Sequence, residues 1–128
     1  MESSTEFLSF DDIIRIAEGV LPEVAIRDVG LIQSAVALPQ TSVFGKLAYP
    51  TLMLQAAALL HSLARNHSLV DGNKRLAWSS MRVFLLMNGV DLSYDIDEAE
   101  RVVLGVSTGQ FEDVAAIAEV LEQWATSR

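Results

Sequence analysis

One nine-residue stretch, HSLVDGNKR from His67 to Arg75, gathers six residues whose types suit phosphate chemistry. A histidine such as His67 is able to take a proton from a hydroxyl near neutral pH. Asp71 is a hard oxygen ligand of the kind that holds Mg²⁺ together with substrate phosphates. Gly72 permits close approach to the backbone, and Asn73 could orient a phosphate oxygen or cap a helix. Lys74 offers a point charge and Arg75 a two-pronged clamp for an anion. Their order poses a conflict. A helix begins near Asn73, and a helix N-terminus already carries partial positive charge, so two cations there are unfavourable. A bound polyanion removes the conflict, because the first backbone N–H groups of a helix lack internal partners and can receive phosphate.

Taken singly these features are ordinary: DGN is a common turn, Lys-Arg a common exposed pair, and a lone histidine at a helix end is commonly a cap or a surface group. Their coincidence in one short loop between two apolar helices favours an anion site beside a base. Leu69 and Val70 are expected to point inward and pin that loop to the core. His61 lies six residues before His67, not the four of a helical metal pair, and reads as structural. Neither a P-loop nor the protein-kinase loop motifs occur.

The elements that must position this loop are helices. SFDDIIRIAEGVL places Phe10, Ile13, Ile14, Ala17, Val20 and Leu21 on one face, with Ser9 as candidate N-cap and Asp11 and Asp12 in the first turn. VGLIQSAVAL gives a second, short helix ended by Pro39. Residues 40–49, QTSVFGKLAY, are irregular, either a loop or a short hairpin-like flap. Pro50 suits the first turn of the next helix, and TLMLQAAALLHSLARN, apolar on nearly all sides, reads as the buried central one. NKRLAWSSMRVFLLMN follows and stops at Gly89. Asp95 and Glu98 fit a capping box for a helix over 96–107. The last helix carries Phe111, Val114, Ile117, Ala118, Leu121 and Trp124 on its apolar side and Glu112, Asp113, Glu119 and Glu122 on the other. Strand signals are weak. The expectation is one all-α domain over residues 1–128, compact, with six helices.

Composition narrows the function classes. The chain is 51% hydrophobic and 20% charged, enough to bury a sizeable core, and it has no cysteine, which excludes disulfides and thiolate chemistry. No run of about 18 apolar residues points to a membrane span. The acidic, polar start MESSTEFLSFDD does not read as a signal peptide, so a cytoplasmic protein is expected. Net charge is −8, unevenly spread. Residues 1–28 hold seven acids and two bases, residues 91–128 nine acids and two bases, while residues 29–90 hold Lys46, Arg65, Lys74, Arg75 and Arg82 against Asp71 alone. Direct nucleic-acid binding is not expected of so acidic a chain, whereas a local anion site in its basic middle is.

The stretch HSLVDGNKRLA resembles the signature of the Fic/Doc superfamily. Fic members read roughly H-P-F-x-[DE]-G-N-G-R-x-x-R, and Doc-type (death on curing) toxins H-x-F-x-[DN]-[AG]-N-K-R-T-A. His67, Asp71, Gly72, Asn73, Lys74, Arg75 and Ala77 match the Doc form. RDVGLIQSAVALPQ, FGKLAYPTL, AAALLHSLARNH and FLLMNG are similar to Doc segments in the same order. The resemblance implies a six-helix Fic-like fold, His67 as catalytic base, Asp71 as Mg²⁺ ligand, and Gly72, Asn73, Lys74 and Arg75 around the phosphates of ATP. It implies a flap at residues 40–49 that aligns the target, inhibition by a Phd-type antitoxin, and transfer of the γ-phosphate to a threonine of elongation factor Tu, which arrests translation. Ser68 and Leu69 stand where Pro and Phe are common, Leu76 replaces the usual threonine, and Trp78 stands where a Fic AMP transferase has its second arginine. Lys74 replaces a glycine that leaves room for phosphates in Fic enzymes. Both Lys74 and Trp78 therefore disfavour AMP transfer. The alternatives are nucleotidyl transfer to a protein hydroxyl and a catalytically weak binding module. The self-inhibitory Fic pattern [ST]-x-x-x-E-[GN] is not matched, since Glu18-Gly19 is preceded by Ile14.

Overall fold

The computed structural model describes residues 4–127, with the backbone alone at Ser127; Met1, Glu2, Ser3 and Arg128 of the sequence reading lie outside them. Six α-helices make the fold: α1 (Phe10–Val20), α2 (Val29–Ala37), α3 (Leu52–Arg65), α4 (Asn73–Met87), α5 (Ile96–Thr108) and α6 (Val114–Trp124). A 3-10 turn, Leu38–Gln40, follows α2 and carries Pro39. The expected all-α class holds, with two small additions. β1 (Ser42–Val43) pairs with β2 (Lys46–Leu47), and β3 (Val90–Leu92) pairs with β4 (Ala125–Ser127), both antiparallel.

Local chemistry explains most helix boundaries. Ser9 caps α1 in a reciprocal box, its hydroxyl accepting from the Asp12 N–H at 3.1 Å while the Asp12 carboxylate accepts from the Ser9 N–H at 2.8 Å. That backbone hydrogen bond, and the one with the Ser9 hydroxyl, hold the Asp12 carboxyl below its usual range. Asp28, Thr51, Asp95 and Asp113 cap α2, α3, α5 and α6. Three details differ from the sequence reading. Pro50 precedes the Thr51 cap instead of lying inside α3. Only the Asp95 half of the box on α5 forms. Asp113 is a cap, so α6 begins after Phe111 and Glu112.

Helix α3 is the central element, as its sequence implies. Ala56, Ala57, Ala58, Leu59, Leu60, Leu63 and Ala64 are all buried. The alanines let α4 and α6 approach closely, while each buried leucine contributes about 1.5–3 kcal/mol. Met81, Phe84 and Leu85 of α4 and Ile117 and Leu121 of α6 complete the contact. This packing fixes where the C-terminus of α3 and the N-terminus of α4 lie, and the loop 66–72 spans the gap between them. Among the described residues no helix is long and apolar enough to cross a membrane.

Candidate active site

The loop begins where Asn66 closes α3. The Asn66 side chain ties it down, donating to the Leu31 carbonyl at 3.0 Å and accepting from the Ser68 N–H at 3.2 Å. His67 follows with φ of 52°, a left-handed conformation uncommon for a side chain of its size. Such strain persists only where the surroundings hold it. Here the holder is Arg27, whose Nε donates to the His67 carbonyl at 2.7 Å and whose Nη2 donates to the Asn66 carbonyl at 3.3 Å. The N–H groups of Arg27 and Asp28 both donate to the Ser68 carbonyl, and that of Val70 to the Ala25 carbonyl. Ile26 and Leu69 form an antiparallel bridge. Segment 25–28 thus acts as a brace that leaves the His67 side chain exposed. Nothing local in the sequence marks Arg27 for this role, since its partner lies 40 residues away.

Leu69 is buried as expected, at 1% exposure, but Val70 is not, at 69%. The bridge with Ile26 makes this stretch extended, and successive side chains of an extended chain point to opposite faces. Val70 instead joins the rim of a cavity. Ser68 is fully buried, and its hydroxyl has no partner among the described residues.

Asn73 is not the cap of α4, and its side chain is engaged with the loop. Its side-chain oxygen accepts from the Leu69 N–H and its amide donates to the Leu69 carbonyl, both at 3.0 Å. The Asn73 side chain staples the loop shut and leaves a second amide hydrogen, beside its backbone N–H, for an anion. Gly72, at φ of 90°, takes the N-cap position and supplies no side chain. A Cβ there would lie 2.6 Å from a Leu21 methyl, so the close approach and the left-handed backbone both demand glycine. Helix α4 therefore lacks the side-chain cap found on the other five α-helices. Its first internal bond is Leu76 N–H to the Gly72 carbonyl, which leaves the N–H groups of Asn73, Lys74 and Arg75 without helical partners.

One open cavity of about 790 Å³ takes in His67, Asp71, Gly72, Asn73, Lys74 and Arg75 together. All six residues singled out in the sequence share it. Its other walls were not foreseen: Leu21 and Pro22 after α1, and Leu104, Ser107 and Thr108 on α5. Lys74 and Arg75 are exposed, and Arg75 also donates to the Val20 carbonyl at 3.3 Å, satisfying the C-terminus of α1. The exposed Asp71 folds back, one oxygen accepting from the Gly72 N–H at 2.8 Å. Among the described residues its other oxygen accepts no hydrogen bond. No group of three or more potential ligands gathers among the described residues. A lone carboxylate beside a phosphate site suits Mg²⁺, which takes few protein ligands and completes its shell with substrate phosphates and water. His61 stands apart, half-buried on α3. Burial, and then the charge of Arg65, lower its pKa against an opposing pull from Glu112, as suits a structural histidine.

The stretch that carries the exposed histidine, the uncapped helix start and the paired cations has counterparts in sequence among known proteins. A model of the Fic/DOC family matches residues 7–85, which include the whole loop. The chain belongs to the Fic/Doc family. It is 47% identical over 128 residues to Toxin Doc of Mycolicibacterium smegmatis, covering 96% of each chain. It is 35% identical over 68 residues to Protein kinase doc of Escherichia phage P1, covering 53% of this chain and 52% of that one.

Proposed function

We propose that this Fic/Doc protein is a Doc-type toxin, a protein kinase that moves the γ-phosphate of ATP to a threonine of elongation factor Tu and so arrests translation in the cytoplasm. The observation that carries the proposal is the uncapped N-terminus of α4, flanked by Lys74 and Arg75 and sharing one cavity with His67. The kinship with Toxin Doc and with Protein kinase doc supports it. A Phd-type antitoxin is the partner this reading implies.

His67 accepts the proton of the threonine hydroxyl as the oxygen–phosphorus bond forms. The bond from the γ-phosphorus to the bridging oxygen breaks, and ADP leaves. The backbone N–H groups at the start of α4, with Lys74 and Arg75, bind the phosphates and stabilise charge that builds on their oxygens. Mg²⁺, for which Asp71 is the fitting ligand, supplies further charge neutralisation. Asn73 and Arg27 hold the loop so that His67 meets the acceptor. The lysine side chain at position 74 adds bulk and charge where AMP transfer needs room, and Trp78 offers no cationic contact for a phosphate.

The test uses ATP labelled separately on the α- and γ-phosphorus, with elongation factor Tu as acceptor. Label passes only from the γ position, and His67→Ala abolishes transfer and growth arrest while melting within a few degrees of the parent. Transfer of α label instead restores nucleotidyl transfer. Growth arrest by His67→Ala at equal expression refutes the assignment of the base.

A further inference from the structure

The walls of the anion cavity contain a feature that works against an anion. Three helices end there. Leu21, the C-cap of α1, lines the cavity, as do Ala64 in the last turn of α3 and Ser107 and Thr108 at the end of α5. A helix C-terminus carries about half a unit of negative charge on carbonyls that lack helical partners. The one helix N-terminus, that of α4, thus shares the cavity with three ends of the wrong sign. Each of those ends has an arginine. Arg75 donates to the Val20 carbonyl at the end of α1, and Arg27 to the carbonyl of Asn66, the C-cap of α3, both at 3.3 Å. At α5 the arginine is Arg65, from the last turn of α3.

The Arg65 guanidinium lies on Gly109, the C-cap of α5, so closely that a Cβ there would overlap Nη1. Nη1 is shut off from solvent and makes no hydrogen bond among the described residues. It stands 3.2 Å from Oε1 of Glu112, in the turn that follows α5. Nη1 thus meets the end of α5 as a charge and not as a donor with a chosen acceptor. Packing does not call for this charge. Val103 and Val106 already bury α5 against the core, and a pair whose carboxylate is 61% exposed contributes little to stability. We infer that Arg65 sets the affinity of the cavity for polyanions by cancelling the negative end of α5, and that Glu112 tunes it by offsetting part of the Arg65 charge. The inference rests on the phosphate site proposed above. It makes Arg65 a residue that favours anionic ligands without touching them, whereas Lys74 and Arg75 are placed to touch them.

Calorimetry on the full chain with a non-hydrolysable ATP analogue and Mg²⁺ tests this. The titrations are run at about pH 8, where His61, one turn before Arg65, is uncharged because its pKa is lowered from 6.5. At low salt Arg65→Met weakens binding about two- to fivefold, the range for one charge at a helix end. Arg65→Lys keeps the charge and restores most of the affinity. Glu112→Gln frees the Arg65 charge and tightens binding. All these differences shrink as salt is raised from about 0.05 to about 0.5 M. The opposite signs separate this role from that of a structural ion pair, in which loss of either partner weakens binding alike. Weaker binding by both Arg65→Met and Glu112→Gln, or unchanged binding by both, overturns the inference and leaves the phosphate site standing. If Arg65→Met does not fold, the exposed Glu112→Gln decides alone, and binding that does not tighten overturns the inference. A parent chain that binds no analogue overturns the phosphate site, and the inference with it.

Discussion

Gly72→Ala is expected to destabilise the domain and to disturb the anion site together. The backbone at this position has φ of 90°, and an added Cβ lies 2.6 and 2.9 Å from the two Leu21 methyls. A left-handed backbone costs an L-residue about 1–2 kcal/mol. Displacing Leu21 adds about 1–2 kcal/mol, toward the low end for overpacking because those methyls end a flexible, half-buried side chain. The loss is therefore about 2–4 kcal/mol. With an unfolding entropy of about 2.1 cal/mol/K per residue over 128 residues, this lowers Tm by about 7–15 °C. Thermal denaturation of four proteins separates the two causes: the parent, Gly72→Ala, Leu21→Ala and the double variant. Removing Leu21 relieves the clash but not the backbone strain, so the double variant is more stable than additivity predicts by about 1–2 kcal/mol. Additivity within about 0.3 kcal/mol refutes the steric argument. A Gly72→Ala protein that melts with the parent refutes the conformational one.

Asn73→Asp keeps an acceptor for the Leu69 N–H but sets a second oxygen against the Leu69 carbonyl; urea unfolding should show a loss of about 1–3 kcal/mol, and phosphate transfer should fall with the loosened loop. Arg27→Lys cannot reproduce the paired contacts to the His67 and Asn66 carbonyls, so kcat should fall about 10- to 100-fold with little change in KM for ATP; an unchanged kcat would leave Arg27 only a structural role. For His61, burial first and the Arg65 charge second lower the pKa from 6.5. The unfolded chain then binds more protons below that value, so stability falls as pH drops through about 6.5 toward the folded pKa and is flat above it. Melting curves from pH 5 to 8 should show this slope in the parent and its loss in His61→Gln; a slope of the opposite sign would contradict the burial argument.

What the sequence determined alone is what short-range physics controls. Each helix follows from apolar periodicity within one segment and from caps a few residues away, so Ser9, Asp95 and Gly89 mark ends that the structure keeps within a residue or two. The six loop residues were legible as a group because they are neighbours in the chain, and they do share one cavity. The flap was half legible. Its two-residue turn has Phe44 and Gly45 at φ of 52° and 78°, the left-handed pair a tight hairpin requires, but phenylalanine stands where asparagine or aspartate would have signalled it. Tertiary structure decided the rest. The Arg27 brace on His67 spans 40 residues, and β3 finds its partner in a segment 35 residues later. Which of Leu69 and Val70 faces the core is set by the bridge to Ile26, since in a lone extended stretch either face could have been buried. The aromatic cluster of Trp78, Tyr94 and Trp124 joins α4, the segment before α5 and the end of α6. Periodicity and capping act over a few residues along the chain, whereas these contacts exist only once helix packing has brought distant segments together.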